Sequence, residues 1–168
     1  MGNIQAQKRL AEYYSVVKEN DHLYRDAAKR FGLSECAFWI LYVLRTDEAV
    51  ATQSGICDAS YQPKQTVHSA LKHLEEKGYI ELLHMQGRRG KQIVLTARGI
   101  ELAQNTVDRV VEAECDALLI LDDEEQEAMV RLFGRYTDAL RCRMQSLGEN
   151  TTEPGREGHG GNTEETGR

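Results

Sequence analysis

One stretch of this 168-residue chain gathers side chains suited to a polyanion. After Pro63 come Lys64, Gln65, Thr66, His68, Ser69, Lys72 and His73, spaced to share the polar side of a helix. The other side of that helix would carry Val67, Ala70, Leu71 and Leu74 at i, i+3, i+4 and i+7. Arg88, Arg89 and Lys91 follow in a glycine-bracketed turn. An α-helix fits the major groove of B-DNA, where its first residues reach base edges and its dipole favours phosphate. Gln65 suits a bidentate contact to adenine, worth about 1–3 kcal/mol of discrimination. Lys64, Thr66, Ser69 and Lys72 suit phosphates, which set register more than sequence. The competing reading is an ordinary solvated helix face.

Charge is distributed to match. The formal net charge is −6, yet Tyr61 to Arg98 holds seven Lys/Arg and three acids, a local +4. The tail from Gly148 contributes −3, so the other flanks hold −7. A basic middle between acidic ends fits a domain offering one face to nucleic acid.

Other chemistries lack their residues. There is no glycine-rich phosphate loop, nucleophile–base arrangement or metal triad, so neither an enzyme nor a cofactor is expected. His68, His73 and His84 are five and eleven apart, which is not a metal-ligand spacing. None of the four cysteines lies in a CxxC pair, so a disulfide scaffold and a zinc site are both disfavoured. The longest apolar run, Cys36 to Leu44, is nine residues, against the roughly 20 of a membrane helix. The polar opening Met1-Gly2-Asn3-Ile4-Gln5 has no signal-peptide character. A cytoplasmic protein with reduced thiols and no membrane partner is expected.

The elements that must position the polar helix can be read in order. Leu10, Tyr13, Tyr14 and Val17, then Leu23, Tyr24, Ala27 and Phe31, trace one long helix stopped by Gly32. Ser34 caps a second helix through Cys36–Leu44, apolar nearly all round and so the buried one. Thr52 caps a short, weak third helix. Pro63 occupies the first position of the fourth, which Gly78 ends. The period then changes to strands over Tyr79–Met85 and Gln92–Thr96, a hairpin too small to stand without the helices. Thr96 caps a helix carrying Ile100, Ala103, Val107, Val110, Val111, Ala117 and Leu118 on one face. Asp122 and Glu125 form a capping box for a last helix bearing Met129, Leu132, Phe133, Tyr136, Leu140, Met144 and Leu147. Both helices are expected to exceed 20 residues, and their apolar stripes call for a second copy of the chain. The tail from Gly148, with six glycines and five Glu, is expected to be disordered.

Helix, helix, short helix, proline-started helix and cationic hairpin is the order of a winged helix-turn-helix. Residues Gln62 to Ile80, and Lys91-Gln92-Ile93-Val94-Leu95-Thr96-Ala97-Arg98-Gly99 with its KxxxLTxxG pattern, resemble the MarR (multiple antibiotic resistance regulator) family across roughly residues 4–147. The expected fold is mainly α with a small β hairpin. Residues 1–33 would form a dimerising helix, 34–98 the winged helix-turn-helix, 99–147 further dimerisation helices and 148–168 the tail.

The resemblance implies a homodimeric, sequence-specific DNA-binding repressor of a pseudo-palindromic operator. It implies that the wing arginines enter the minor groove. Gly87 replaces the acid that many members carry before the wing arginine, which leaves open whether Arg88 or Arg89 enters. Ser69 stands where many members have arginine, so specificity cannot be transferred. The resemblance also implies release by a small phenolic or amphipathic effector, with Tyr13, Tyr14, Tyr24, Trp39 and Tyr42 as candidate cavity residues, although aromatics at helical spacing are by default core. Some relatives sense oxidants through a thiolate. Cys36, near a helix start, is the candidate here, with Cys57 and Cys142 read as core fillers. The alternatives are therefore a redox sensor of the same fold, or a winged-helix protein-interaction module without DNA binding.

Overall fold

The computed structural model describes residues 2–47, 51–60, 62–84 and 91–149. The chain divides into two compact units, Met1–Ala117 and Leu118–Arg168.

In the first unit, α1 (Gly2–Arg30) ends as the sequence predicts. Gly32 adopts φ 67°, its N–H donates to the Lys29 carbonyl and the Leu33 N–H to that of Ala28, both at 3.0 Å. This left-handed turn satisfies carbonyls that the helix end would otherwise orphan. Ser34 then caps α2 (Glu35–Thr46), its Oγ accepting the Ala37 N–H at 3.2 Å. Because α2 is apolar nearly all round, it serves two cores at once. Cys36, Ala37, Ile40 and Val43 pack with Ile56, Val67, Leu71, Leu74, Ile80 and Ile93. Phe38 and Leu41 pack with Ala28, Ala103 and Val107. Each such large side chain stabilises the fold by about 1.5–3 kcal/mol.

Thr52 caps α3 (Gln53–Ser60) by accepting the Gly55 N–H at 3.1 Å, and only Ile56 of this short helix is buried. Pro63 lies one position earlier than expected. Its ψ of 134° makes it the N-cap of α4 (Lys64–Glu76) rather than the first helical residue, with its carbonyl accepting the Val67 N–H at 3.1 Å. Gly78, at φ 71°, closes α4 with the same paired carbonyl bonds that close α1.

Strands β1 (Ile80–His84) and β2 (Lys91–Leu95) pair antiparallel, with Ile80 opposite Leu95, Leu82 opposite Ile93 and His84 opposite Lys91. β1 starts one residue later than expected, with Met85 outside the described residues, and β2 starts and ends one residue earlier, for local reasons. The Tyr79 N–H is spent on the α4 terminus, and Thr96 leaves the ladder to cap the next helix. A short third edge was not anticipated: Thr52 bridges Gln92, and the Ile93 N–H donates to the Ala51 carbonyl at 2.8 Å. It ties the hairpin to the start of α3.

The helix expected from Thr96 to Leu118 is instead two, α5 (Ala97–Asn105) and α6 (Val107–Leu118), neither reaching 20 residues. Asn105 Nδ2 donates to the Glu101 carbonyl at 2.8 Å and Thr106 Oγ1 to that of Leu102 at 2.6 Å. Side chains that bond back to carbonyls four residues earlier compete with the helical ladder, and Thr106 breaks it at φ −130°, ψ −88°.

The second unit is dominated by α7 (Asp123–Glu149), 27 residues long. Its capping box is present in both directions: the Glu125 N–H donates to Asp122 Oδ1 at 2.9 Å, and the Asp122 N–H to Glu125 Oε2 at 3.1 Å. The helix runs two residues beyond the expected end at Leu147. The rest of the tail, 150–168, lies outside the described residues. Among the described residues no helix is long and apolar enough to cross a membrane.

Candidate nucleic-acid interface

The buried side of α4, Val67, Leu71 and Leu74, fixes the helix against α2 and the sheet. Its opposite side consequently stands in solvent. Lys64, Gln65, Thr66, His68, Ser69, Lys72 and His73 are all exposed, so all seven predicted residues share this surface. Ser69 Oγ donates to the Gln65 carbonyl at 3.0 Å, and Lys72 Nζ lies 3.7 Å from Glu76 Oε1. Both groups of that pair are largely solvated and one turn apart, so the pair holds Lys72 weakly.

Lys91, exposed at the first residue of β2, joins the surface through a cleft. The cleft is bounded by His68, Lys72 and Glu75 of α4, by Leu82, Lys91 and Ile93 of the sheet, and by Thr52, Gln53 and Ser54 at the start of α3. These last three were not foreseen. A Thr-Gln-Ser run opening the helix before α4 was the available signal, since hydroxyls and the backbone N–H groups of a helix start also suit phosphate. Arg88 and Arg89 lie outside the described residues, as do Met85–Gly90 as a whole.

The KxxxLTxxG segment proves to be a clasp on the end of α4. Thr96 Oγ1 accepts the Gly99 N–H at 3.0 Å and donates to the Gly78 carbonyl at 2.7 Å, while its N–H donates to the Tyr79 carbonyl at 3.1 Å. Arg98 donates to the Lys77 carbonyl at 3.1 Å and lies over the Tyr79 ring, 5.1 Å from its centroid. The second strand of the hairpin is therefore bolted to the helix it flanks.

Of the five aromatic candidates for an effector cavity, the structure unites three. Tyr24 and Trp39 have centroids 5.1 Å apart, Trp39 and Tyr42 5.3 Å, with Phe38 completing the group. Tyr13 and Tyr14 form a separate edge-to-face pair farther along α1. The residue missed was Glu114 of α6. Tyr24 donates to its Oε1 at 2.5 Å and Tyr42 to its Oε2 at 2.7 Å. Burial, followed by these bonds to Glu114, pushes the Tyr24 hydroxyl up to about 12 and raises that of Tyr42 as well. Beside this node, Arg45 makes a two-pronged contact with Asp108, at 2.8 and 2.7 Å. No sequence spacing announces Glu114, because its partners are 90 and 72 residues away.

Cys36 does not have the character of a reactive thiolate, the alternative weighed for it. It is buried in the α2 core, and burial, with Cys57 and Glu35 nearby, pushes its thiol up rather than down. Desolvation and neighbouring negative charge outweigh the helix dipole. Cys57 packs against the core as foreseen, but Cys142 is exposed on α7 and fills no core of this chain. His84 is exposed at the end of β1, and among the described residues no three potential metal ligands cluster.

A family model described as MarR family matches residues 31–90, from just after α1 to the residue before β2. The HTH-type transcriptional regulator YwoH of Bacillus subtilis is 30% identical over 106 residues, covering 63% of this chain and 77% of that protein. Among solved structures, a MarR family regulator from Neisseria meningitidis superposes with a TM-score of 0.68 at 24% identity, over 85% of this chain and 99% of that one. The MepR–DNA complex of S. aureus gives a TM-score of 0.62 at 23% identity, over 76% and 93% of the two chains.

Proposed function

The chain belongs to the MarR family of transcriptional regulators, and from that premise we propose that it is a homodimeric repressor that reads a pseudo-palindromic DNA operator. Residues 34–98 are the reading domain, and residues 1–33 and 99–147 supply the dimerising helices. Gln65 contacts a base, Lys64, Thr66, Ser69 and Lys72 hold phosphates, and His68 and His73 border the same groove. Lys91 holds the backbone at the wing, and one of Arg88 and Arg89 enters the minor groove.

One observation carries this reading: the exposed face of α4. Seven polar side chains line a helix whose other face is seated in the core, beside a clasped hairpin. That face fits the major groove. MepR, a protein of the same fold, has been solved in complex with DNA. Dimerisation is supported by large apolar side chains left in solvent. Leu10, Val16 and Leu23 of α1 are exposed, as are Met129, Leu132 and Met144 of α7. Exposed apolar side chains in such number on long helices point to a partner surface, and a second copy supplies it symmetrically.

A small amphipathic effector is proposed at the Tyr24–Trp39–Tyr42 group. Since Glu114 already accepts both hydroxyls, such a ligand either stacks on the ring faces or displaces the carboxylate.

Selection from random duplex DNA tests the reading. Enriched sequences should hold two inverted half-sites about 10 base pairs apart, centre to centre. A pool that never converges would contradict DNA reading and favour a protein-interaction module.

A further inference from the structure

We infer that Glu114 is a positioning residue that sets the half-site spacing this protein accepts, an inference that rests on α1 serving as a dimerising arm and α4 as the reading helix. Three elements meet at its carboxylate. It belongs to α6, and it accepts one hydroxyl from Tyr24 of α1 and another from Tyr42 of α2. Helix α2 in turn packs against α4 in one core, so whatever fixes α1 to α2 fixes the arm to the reading helix.

Tyr24 stands at the root of that arm. Among the residues of α1 whose side chains are described, Ala28 is the one that is fully buried, and Tyr24, one turn earlier, is packed against the same cluster. Between Gly2 and Tyr24 all but Tyr13 and Val17 are exposed, among residues whose side chains are described. Twenty-two residues of helix make a lever of about 33 Å. A swing of about 10° at its root moves the tip by about 6 Å, whereas one base-pair step advances about 3.4 Å along the duplex.

Apolar packing also seats α1, with Ala28 buried in one cluster with Phe38 and Leu41 and Tyr24 against Trp39, and Glu114 adds a directional restraint to that contact. Arg45–Asp108 joins α2 to α6 and is not a bond to α1, and Arg25 lies 3.8 Å from Glu35 with both groups largely solvated. Such an exposed pair contributes little directional restraint. Glu114 adds direction to this packing, its two oxygens accepting from two different helices at once.

The test uses the full-length protein and synthetic duplexes bearing the half-sites that wild type selects, at the selected spacing and with one base pair inserted or deleted. Wild type should lose at least roughly tenfold in affinity when the spacing changes by one base pair. Glu114→Ala should lose no more than about threefold while binding an isolated half-site as well as wild type does. Glu114→Gln, whose single carbonyl oxygen accepts from one phenol, should fall between them. The Tyr24→Phe, Tyr42→Phe double variant keeps the carboxylate and should match Glu114→Ala, which covers the case where Glu114→Ala fails to fold. Loss of affinity in equal proportion at every spacing would mean a merely structural role and overturn the inference, as would unchanged discrimination. Wild type that binds no duplex would overturn the DNA reading beneath it, a result visible before any variant is made.

Discussion

A Cβ placed on residue 99 would stand 1.9 Å from the carbonyl oxygen of Tyr79 and 2.9 Å from its carbonyl carbon. Gly99 is drawn that close because Thr96, three residues earlier, is bonded to both Gly78 and Tyr79. The glycine is required by the approach of two backbones, one at the end of α4 and one at the start of α5. Its own backbone angles are unexceptional.

Gly99→Ala should therefore destabilise the protein by about 3 kcal/mol, near the upper end of ordinary overpacking, because backbone cannot yield as a side chain does. Denaturant unfolding measures it. A cost under about 0.5 kcal/mol, typical of a surface change, would refute the clasp. The same variant should weaken DNA binding, since the hairpin loses its anchor on α4.

Much of this architecture was legible because its signals are local. Gly32, Ser34, Thr52, Gly78, Thr96, Asp122 and Glu125 each act within a few residues, and each terminates or caps as its type dictates. The polar face of α4 was equally legible, since one helical period separates it from Val67, Leu71 and Leu74. What escaped was long-range or competitive. The Ala51–Ile93 edge and the Glu114 node join residues far apart in the chain. The break at Thr106 arises from side chains competing with a ladder that apolar periodicity alone would continue. For Cys36 the sequence offers two opposed signals, a helix start and an apolar run beside Glu35, and the depth of burial that decides between them is set by the fold.

Asp122→Ala removes one half of the capping box of α7 and should cost about 1 kcal/mol. Glu125→Gln keeps an acceptor for the Asp122 N–H and should cost less. Thermal melts of the two variants compare them directly, and equal stability of Asp122→Ala and wild type would contradict the box.

The tyrosine node predicts an alkaline limit. The Tyr24 hydroxyl is raised from 10.0 to about 12, first by burial and then by its bond to Glu114. A raised folded value means that the protonated form is favoured by folding. The associated stability is fully present below pH 10 and is lost as pH climbs toward about 12. Unfolding midpoints recorded from pH 9 upward should fall across that window, and the Tyr24→Phe, Tyr42→Phe variant should fall less steeply. Parallel curves for the two proteins would contradict the assignment.

Two substitutions on α4 separate positioning from reading. Lys72→Ala should weaken binding by a similar factor on every sequence and lower the salt slope by about 1. Gln65→Ala should relax preference at one position in each half-site, by about 1–3 kcal/mol of discrimination. A competition assay against single-base operator variants checks both, and a reversal of the two patterns would contradict the roles given to them.

The central claim, that the exposed face of α4 reads DNA, is tested most directly by titrating the protein into its selected duplex at two salt concentrations. With several phosphates neutralised, affinity should fall on the order of 10³-fold between about 50 and 200 mM salt while remaining sequence-selective at both. Gln65→Ala together with Lys72→Ala should reduce both the affinity and its salt dependence. Binding that is insensitive to salt, or equal on scrambled DNA, would contradict the claim.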